Sequence, residues 1–380
     1  MGHITRTLEI AKLLPPDEFH LRYSSSGQGF GFLRAKGLGA SSENCPPLDV
    51  EWASGGGFSS NRVIPGFPLM FNNFLKQLAF ERRAIRDFGP TVVVSDSRLS
   101  PLLAARSMGY PVVTMLNQFK ILFPPRFRGR VGRMYERVAG DVLGLMWSLS
   151  DRVLVTDLPP PYTIGEENLA GSEVSKLVEF VGFTAPIVEM LPERIGRARE
   201  ILSLDDRPLV FCQISGPDPT KAKLMETVLK SADEMTKSYN LVISLGYSGG
   251  STEPRRLSNG GWLFEWCPFK DELFDLSTVI VARAGHSTIG QCIGHIKPAV
   301  LIPIHNHPEQ LSNAERFEEL GLGIMIKSER LTPQNLIESV EKCAKDPSYI
   351  KKLEAVCAVS KRYRGVERCA EVIRGTAEIH

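Results

Sequence analysis

Two strand-to-helix turns within residues 283–317 constrain this chain more than any other segment. A buried-strand run, Ser277 to Ala282 (STVIVA), ends in the turn Gly285-His286-Ser287-Thr288, where a helix begins. A second short strand, Ala299 to Ile304 (AVLIPI), leads to a helix carrying Glu309, Gln310 and Asn313. Continuous apolar, β-branched runs suit strands covered on both faces, as in parallel sheets with crossover helices. In such sheets ligands sit beyond the C-terminal strand ends. A helix N-terminus there offers free N–H groups and the positive end of the helix dipole, which favour a diphosphate. Gly285 lets the backbone approach closely, and Ser287 and Thr288 add hydroxyl donors. The block predicts a pocket for a polar, phosphorylated ligand.

The same strand–helix alternation runs along the whole chain, so the fold class is α/β with Rossmann-like parallel sheets. In the first half, strands are predicted near His20–Ser24, Thr91–Ser95, Pro111–Met115, Arg152–Thr156 and Val178–Val181. Helices are predicted at Ile4–Leu14, Phe67–Phe88, Leu99–Met108 and Val131–Ser148. The second half restarts at Pro208–Gln213 and ends in three helices, Pro333–Lys345, Pro347–Lys361 and Gly365–Thr376. At 380 residues the chain exceeds what one core supports, so two domains are expected, 1–185 and 186–363, with 364–380 as a final helix. A net charge of +2 does not suit a general nucleic-acid binder. No apolar run reaches the length of a membrane span. Seven scattered cysteines without a CxxC pair suit reduced thiols in a cytoplasmic protein rather than a disulfide frame or structural zinc.

Gly285-His286-Ser287-Thr288, Pro303, Glu309-Gln310, Asn313-Ala314 and Glu319-Leu320-Gly321-Leu322-Gly323 together resemble the donor-binding segment of glycosyltransferases with the GT-B architecture. The resemblance is closest to family 28, whose best-known member adds N-acetylglucosamine to the lipid precursor of peptidoglycan. It implies two Rossmann-like domains with parallel sheets facing across a cleft, the donor held by the C-terminal domain and the acceptor by the N-terminal one. It also implies inverting transfer of a hexose or N-acetylhexosamine from a UDP-like donor, without a metal or cofactor, and a last helix that crosses back to the first domain. On this resemblance Arg283, Gly285, His286, Ser287, Thr288, Gln291, Glu309, Gln310 and Asn313 are donor-binding candidates. Gln291 stands where the peptidoglycan enzyme has a glutamate on the ribose hydroxyls. Ser215 and Gly216 follow the strand PLVFCQI at the position of a phosphate-facing turn, although Pro217 removes one N–H donor. Trp266 and Phe269 follow the strand WLFEW, where relatives hold the nucleobase.

In the first domain His3 is the candidate general base, since imidazole titrates in the range needed to deprotonate an acceptor hydroxyl. Its alternative role is to cap the helix beginning at Ile4. Asp96, at the end of the strand TVVVS, either orients His3 or caps the helix at Leu99. Arg6 lies one turn beyond His3, placed to meet an anionic group, and Asn117 and Gln118 are acceptor-side candidates. Met1-Gly2-His3 reads as the end of a glycine-rich turn, so the first strand of the N-terminal sheet is expected to be missing. Gly27-Gln28-Gly29-Phe30-Gly31 lacks the third glycine of a dinucleotide fingerprint and reads as an acceptor-side loop. His305 and His307 lack companion ligands for a metal site.

Residues 119–137 interleave Lys120, Arg126, Arg128, Arg130, Arg133 and Arg137 with Phe119, Ile121, Leu122, Phe123 and Phe127. Two readings stand: a peripheral contact with anionic lipid at the inner face of the membrane, or a solvated loop whose aromatics tuck inward. A sugar hydrolase of the same fold and a non-catalytic nucleotide-sugar-binding subunit remain alternatives to transfer.

Overall fold

The computed structural model describes residues 2–48, 63–120, 122–123, 127–169, 178–185, 190–247 and 249–379. Its contacts divide the chain into two units. One runs through Thr184 and takes up the chain again from Tyr363, and the other spans Ala185–Arg362.

The first unit contains α1 (Gly2–Ala11), β1 (Tyr23–Ser25), α2 (Gly27–Ala35), β2 (Ser42–Asn44), α3 (Val63–Phe88), β3 (Val93–Asp96), α4 (Leu99–Ser107), β4 (Val112–Leu116), α5 (Arg130–Trp147), β5 (Arg152–Val155), α6 (Glu166–Leu169) and β6 (Val178–Phe180). Strands β3-β4-β5-β6 form one parallel sheet in that order, and β1 and β2 pair separately, also in parallel. Among the described residues the strands of this unit therefore lie in two sheets. Strands β4 and β5 are apolar and almost wholly buried, because both faces are covered. On one face Leu102, Ala105, Trp147 and Leu169 join the core with Val112, Leu116, Val153 and Val155. On the other, Ile10 and Leu14 pack with Val113, Met115 and Leu154.

The glycine-rich segment read as a loop is helix α2, with Ser26 as an extended N-cap and Gly27 in the left-handed region at φ 53°. Leu33 anchors this helix in the interior with no exposed surface, so tertiary burial overrides the poor helix propensity of three glycines. The predicted strand at His20–Ser24 shrinks to β1, held by its register with β2.

The second unit contains α7 (Pro192–Ile201), β7 (Leu209–Gln213), α8 (Ala222–Ser238), β8 (Asn240–Ser244), β9 (Arg255–Arg256), β10 (Trp262–Phe264), α9 (Lys270–Leu276), β11 (Ser277–Ala282), α10 (His286–Gly294), β12 (Ala299–Leu301), α11 (Pro308–Glu319), β13 (Gly323–Met325), α12 (Pro333–Lys345) and α13 (Pro347–Ser360). Its seven-stranded sheet runs β13-β12-β11-β7-β8-β10-β9, parallel except for β9. The order reverses direction at β7, which lies between β11 and β8. That is the switch point beyond which open α/β sheets place ligands. The last helix, α14 (Gly365–Ile379), belongs to the first unit and packs Cys369, Ala370 and Ile373 against Val113, Met115 and Leu154. Gly365 is required there, because a Cβ would lie 2.4 Å from the Phe183 carbonyl oxygen.

Candidate functional site

The first cluster sits at the C-terminal end of β3. Asp96 closes the strand, and Ser97 follows with φ 55°, a strained turn that donates its N–H to the Met115 carbonyl at 3.0 Å. Helix α4 is capped at Arg98 without a side-chain bond, so Asp96 is free of the capping role. Its carboxylate instead receives helix α1. His3 Nδ1 lies 2.9 Å from Asp96 Oδ1, and Thr7 Oγ1 donates to Oδ2 at 3.1 Å. Arg6 Nε donates to Oδ2 at 2.8 Å, and its Nη2 donates to Oδ1. Burial alone would raise the Asp96 carboxyl, but the charges and hydrogen bonds of Arg6 and His3 outweigh it. They hold the carboxyl well below the usual carboxylate range.

An ionised carboxylate only accepts hydrogen bonds, so it favours the His3 tautomer with the proton on Nδ1, against the opposing preference of Arg6 Nη2, a donor 3.0 Å from the same nitrogen. The lone pair of Nε2 is then left for an incoming proton. The His3 side chain is 55% exposed, and solvent-borne molecules can reach it. His3 lies inside the first turn of α1, which begins at Gly2, so it is not the cap of that helix.

Arg6 is a correction. The sequence placed it to meet an anionic group of a bound molecule, whereas it is 4% exposed and committed to Asp96 and to Thr156 Oγ1 at 2.9 Å. It acts through the carboxylate rather than on a ligand. Nothing local marks Thr156 or Thr7 for this cluster, and only the tertiary fold brings them in. Asn117 is buried with Oδ1 3.5 Å from Ser97 Oγ, and Gln118 is half-buried beside it.

The second cluster lies at the C-terminal ends of β7, β11 and β12 in the other unit. Gly285 is the extended N-cap of α10 and supplies no side-chain cap, leaving the first-turn N–H groups to another acceptor. Ser287 is half-buried and Thr288 buried in that first turn. Gln291, one turn further along, is 4% exposed with Nε2 buried and unpartnered. Asn313 on α11 donates Nδ2 to the Ala284 carbonyl at 3.4 Å, tying the two turns together, and its Oδ1 is also buried without a partner. Gln213 Oε1, at the end of β7, is a third such atom. Buried polar atoms normally find partners, so unmet amides at the switch point fit a polar ligand.

The remaining donor-side candidates fall into distinct environments. Gln310 Oε1 accepts from Ile304 N at 3.0 Å, shaping the turn after β12, while Glu309 is half-buried beside it. His286 is buried in the first turn of α10. Arg283 is 3% exposed and donates to the Ile302 carbonyl at 3.0 Å and to the Thr220 carbonyl, its pKa brought down to about 10 by burial. It clamps three loops together through its Nη atoms, while its Nε is buried without a partner. Gly216, at φ 107°, is held to glycine, since a Cβ would lie 3.1 Å from Thr220 Oγ1. Ser215 is half-buried next to it. Phe269 packs edge-on against buried Phe264 at 6.4 Å, so its ring serves the core, whereas Trp266 remains half-buried.

Lys221 carries no marker in the sequence that singles it out. It is 2% exposed, donates to the Gly246 carbonyl at 3.0 Å and lies 4.2 Å from the Tyr247 ring centre. It thereby joins the β7 and β8 loops. His305 pairs with Glu329 at 3.2 Å, and His307 caps α11, so the two side chains have separate structural partners.

Residues 219–369 match the model of the glycosyltransferase family 28 C-terminal domain. An uncharacterized glycosyltransferase of Methanopyrus kandleri is 26% identical over 94% of this chain and 96% of its own length. The UDP-N-acetylglucosamine–N-acetylmuramyl-(pentapeptide) pyrophosphoryl-undecaprenol N-acetylglucosamine transferase of Clostridium perfringens is 27% identical over 48% of this chain and 51% of its own. The crystal structure of the kitacinnamycin glycosyltransferase superposes over 99% of this chain and 96% of its own, with a TM-score of 0.66 at 18% identity, which establishes the fold. The parallel sheets, the uncapped α10 turn and these likenesses converge: the chain is a glycosyltransferase with the GT-B fold, and its residues 219–369 are similar to the family 28 C-terminal domain.

Proposed function

We propose that this enzyme transfers a hexosyl or N-acetylhexosaminyl group from a UDP-like nucleotide sugar to an acceptor hydroxyl with inversion at the anomeric carbon. The acceptor is lipid-linked and the reaction takes place in the cytoplasm. The observation that carries the reading is the His3–Asp96 pair at 2.9 Å, with His3 Nε2 left to take the acceptor proton. Asp96 fixes the imidazole and stabilises the imidazolium formed as the hydroxyl attacks. At the donor, the α10 N-terminus supports the departing diphosphate through its N–H groups and dipole, an electrostatic role that needs no metal. Ser287 and Thr288 add hydroxyl donors, and the unmet amides of Gln291 and Asn313 fit polar ligand groups. The buried, unpaired thiols support a reducing compartment.

The test is product analysis with a panel of labelled nucleotide sugars, with and without a polyprenyl-linked sugar acceptor. Transfer appears as label in the lipid fraction and requires the acceptor. In that assay His3→Gln lowers kcat by about 10²–10⁴-fold, the range of general-base catalysis, and leaves nucleotide binding unchanged. Full activity of His3→Gln sinks the base assignment. Free sugar released at the same rate without acceptor sinks transfer in favour of hydrolysis.

A further inference from the structure

The first unit leaves an apolar stripe of helix α5 uncovered. Val131 (65% exposed), Met134, Tyr135, Val138, Val142 and Leu145 (72%) all meet solvent. At 3.6 residues per turn these six side chains fall within an arc of about 100° on the helix surface. Glu136, Gly140, Gly144 and Trp147 form the opposite, buried face. Trp147 Nε1 donates to the Phe119 carbonyl at 3.3 Å, and Glu136 accepts from Phe123 N at 2.6 Å and pairs with Arg128 at 2.9 Å. These bonds fix which face points outward. The anchors read from the sequence as lipid-facing, Phe119 and Leu122, are themselves buried. Ile121 and Arg126 lie outside the described residues. Among the described residues no helix is long and apolar enough to cross a membrane.

Two charges beside the stripe identify what covers it. Arg137 and Asp141 are exposed, lie one turn apart on the same flank and straddle the middle of the stripe. Among the described residues neither has an ion-pair partner. A second copy of the chain supplies one for each. When identical helices pack face to face and antiparallel about a twofold axis, each flank meets the same flank of its copy run in reverse. With the axis at the level of residue 139, Arg137 falls opposite the partner's Asp141, and Asp141 opposite the partner's Arg137. The six apolar side chains lie on both sides of that level, so the two stripes overlap. A parallel pair would instead set these charges against the other flank, where Ala139 and half-buried Met146 offer no countercharge. At their exposures the six side chains present roughly 600 Å² per chain, so the pair removes about 1,200 Å² from water, where specific interfaces begin.

We propose that α5 joins two copies of this chain as an antiparallel, isologous helix pair, closed by two reciprocal Arg137–Asp141 ion pairs. The two ion pairs are one contact repeated by symmetry, so changing one residue alters both. The contact is measured without sugar transfer, so it stands or falls independently of the reaction proposed above.

The experiment is sedimentation velocity of the full chain across the micromolar range, where the wild type sediments at dimer mass. Arg137→Asp and Asp141→Arg each set like charges opposite one another and raise the dimer dissociation constant about 10–100-fold. The double reversal, Arg137→Asp with Asp141→Arg, restores the wild-type constant. Val138→Ser/Leu145→Ser, at exposed positions, gives monomer with the circular dichroism of the wild type. As an independent readout, Val138→Cys, one residue from the axis, forms an interchain disulfide on mild oxidation, whereas Leu229→Cys, exposed on α8, does not; the native cysteines are all buried. A wild type that stays monomeric overturns the proposal, and its retention on phosphatidylglycerol vesicles would assign the face to lipid instead. A dimer indifferent to the serine variant or to the single reversals overturns it too, and a double reversal that stays monomeric overturns the antiparallel pairing.

Discussion

Asp96→Asn tests the N-terminal cluster most directly, because it removes the charge that a buried arginine depends on. Arg6 is 4% exposed and the Asp96 side chain 12%, so solvent screens the pair little. At roughly 3 Å and an effective dielectric of about 20, the two charges attract by about 5–6 kcal/mol before desolvation is counted. Removing one member of a buried pair costs about 3–5 kcal/mol, against about 0–1 kcal/mol for an exposed pair. Asparagine keeps one acceptor oxygen, so the lower figure, about 3 kcal/mol, is expected. The assay is urea unfolding followed at several pH values, with the loss appearing in the transition of the first unit. The Asp96 carboxyl is held below its unfolded value, chiefly by Arg6 acting against desolvation. Its contribution is therefore complete above the unfolded pKa of about 3.9 and fades as pH falls toward the lower folded value. The gap between wild type and Asp96→Asn is constant from about pH 5 to pH 8 and narrows below about pH 4. Replacing both partners, Arg6→Met with Asp96→Leu, costs less than the sum of the single changes. A loss under about 1 kcal/mol at neutral pH, or a gap that ignores acid, refutes the reasoning.

Two further outcomes follow from the interior. All seven cysteines are buried, and burial pushes the thiols of Cys212, Cys267, Cys343 and Cys369 up to about 12. A thiol reagent at mildly alkaline pH should leave the native protein unlabelled and modify all seven cysteines once it is unfolded, and rapid native labelling contradicts the packing. Gly323→Ala would set a Cβ 2.1 Å from the Ala299 carbonyl oxygen and 2.7 Å from the Phe317 ring, forcing β13 away from β12. A loss of about 2 kcal/mol or more in the second unit is expected, and wild-type stability of that variant would show that the strand pair has slack.

The parts of the fold legible in the sequence are those whose signal is local. The run Ser277–Ala282 is strand β11 at the residues predicted, and α10 begins at His286 in the turn that follows, because a covered parallel strand and an uncapped helix start leave their pattern in neighbouring residues. Glycine-rich α2 was not legible, since Leu33 earns its helix through burial that no neighbour encodes. His3 and Asp96 were each singled out, yet their separation of 93 positions left open whether Asp96 orients a histidine or caps α4.

Alternation of strand and helix, the two-domain size and the glycine-serine turn at 285–288 were determined by the sequence alone, because backbone periodicity and turn chemistry are local. The tertiary structure alone decided which partner each polar side chain takes and which face of each helix is hidden. It turned Arg6 inward onto Asp96 and Arg283 onto three loop carbonyls. Likewise α5 has a readable 3.6-residue stripe, but Trp147 and Glu136 rotate that stripe to solvent through bonds to Phe119, Phe123 and Arg128. Periodicity establishes that a helix has two faces; only the neighbours brought by the fold determine which one meets water.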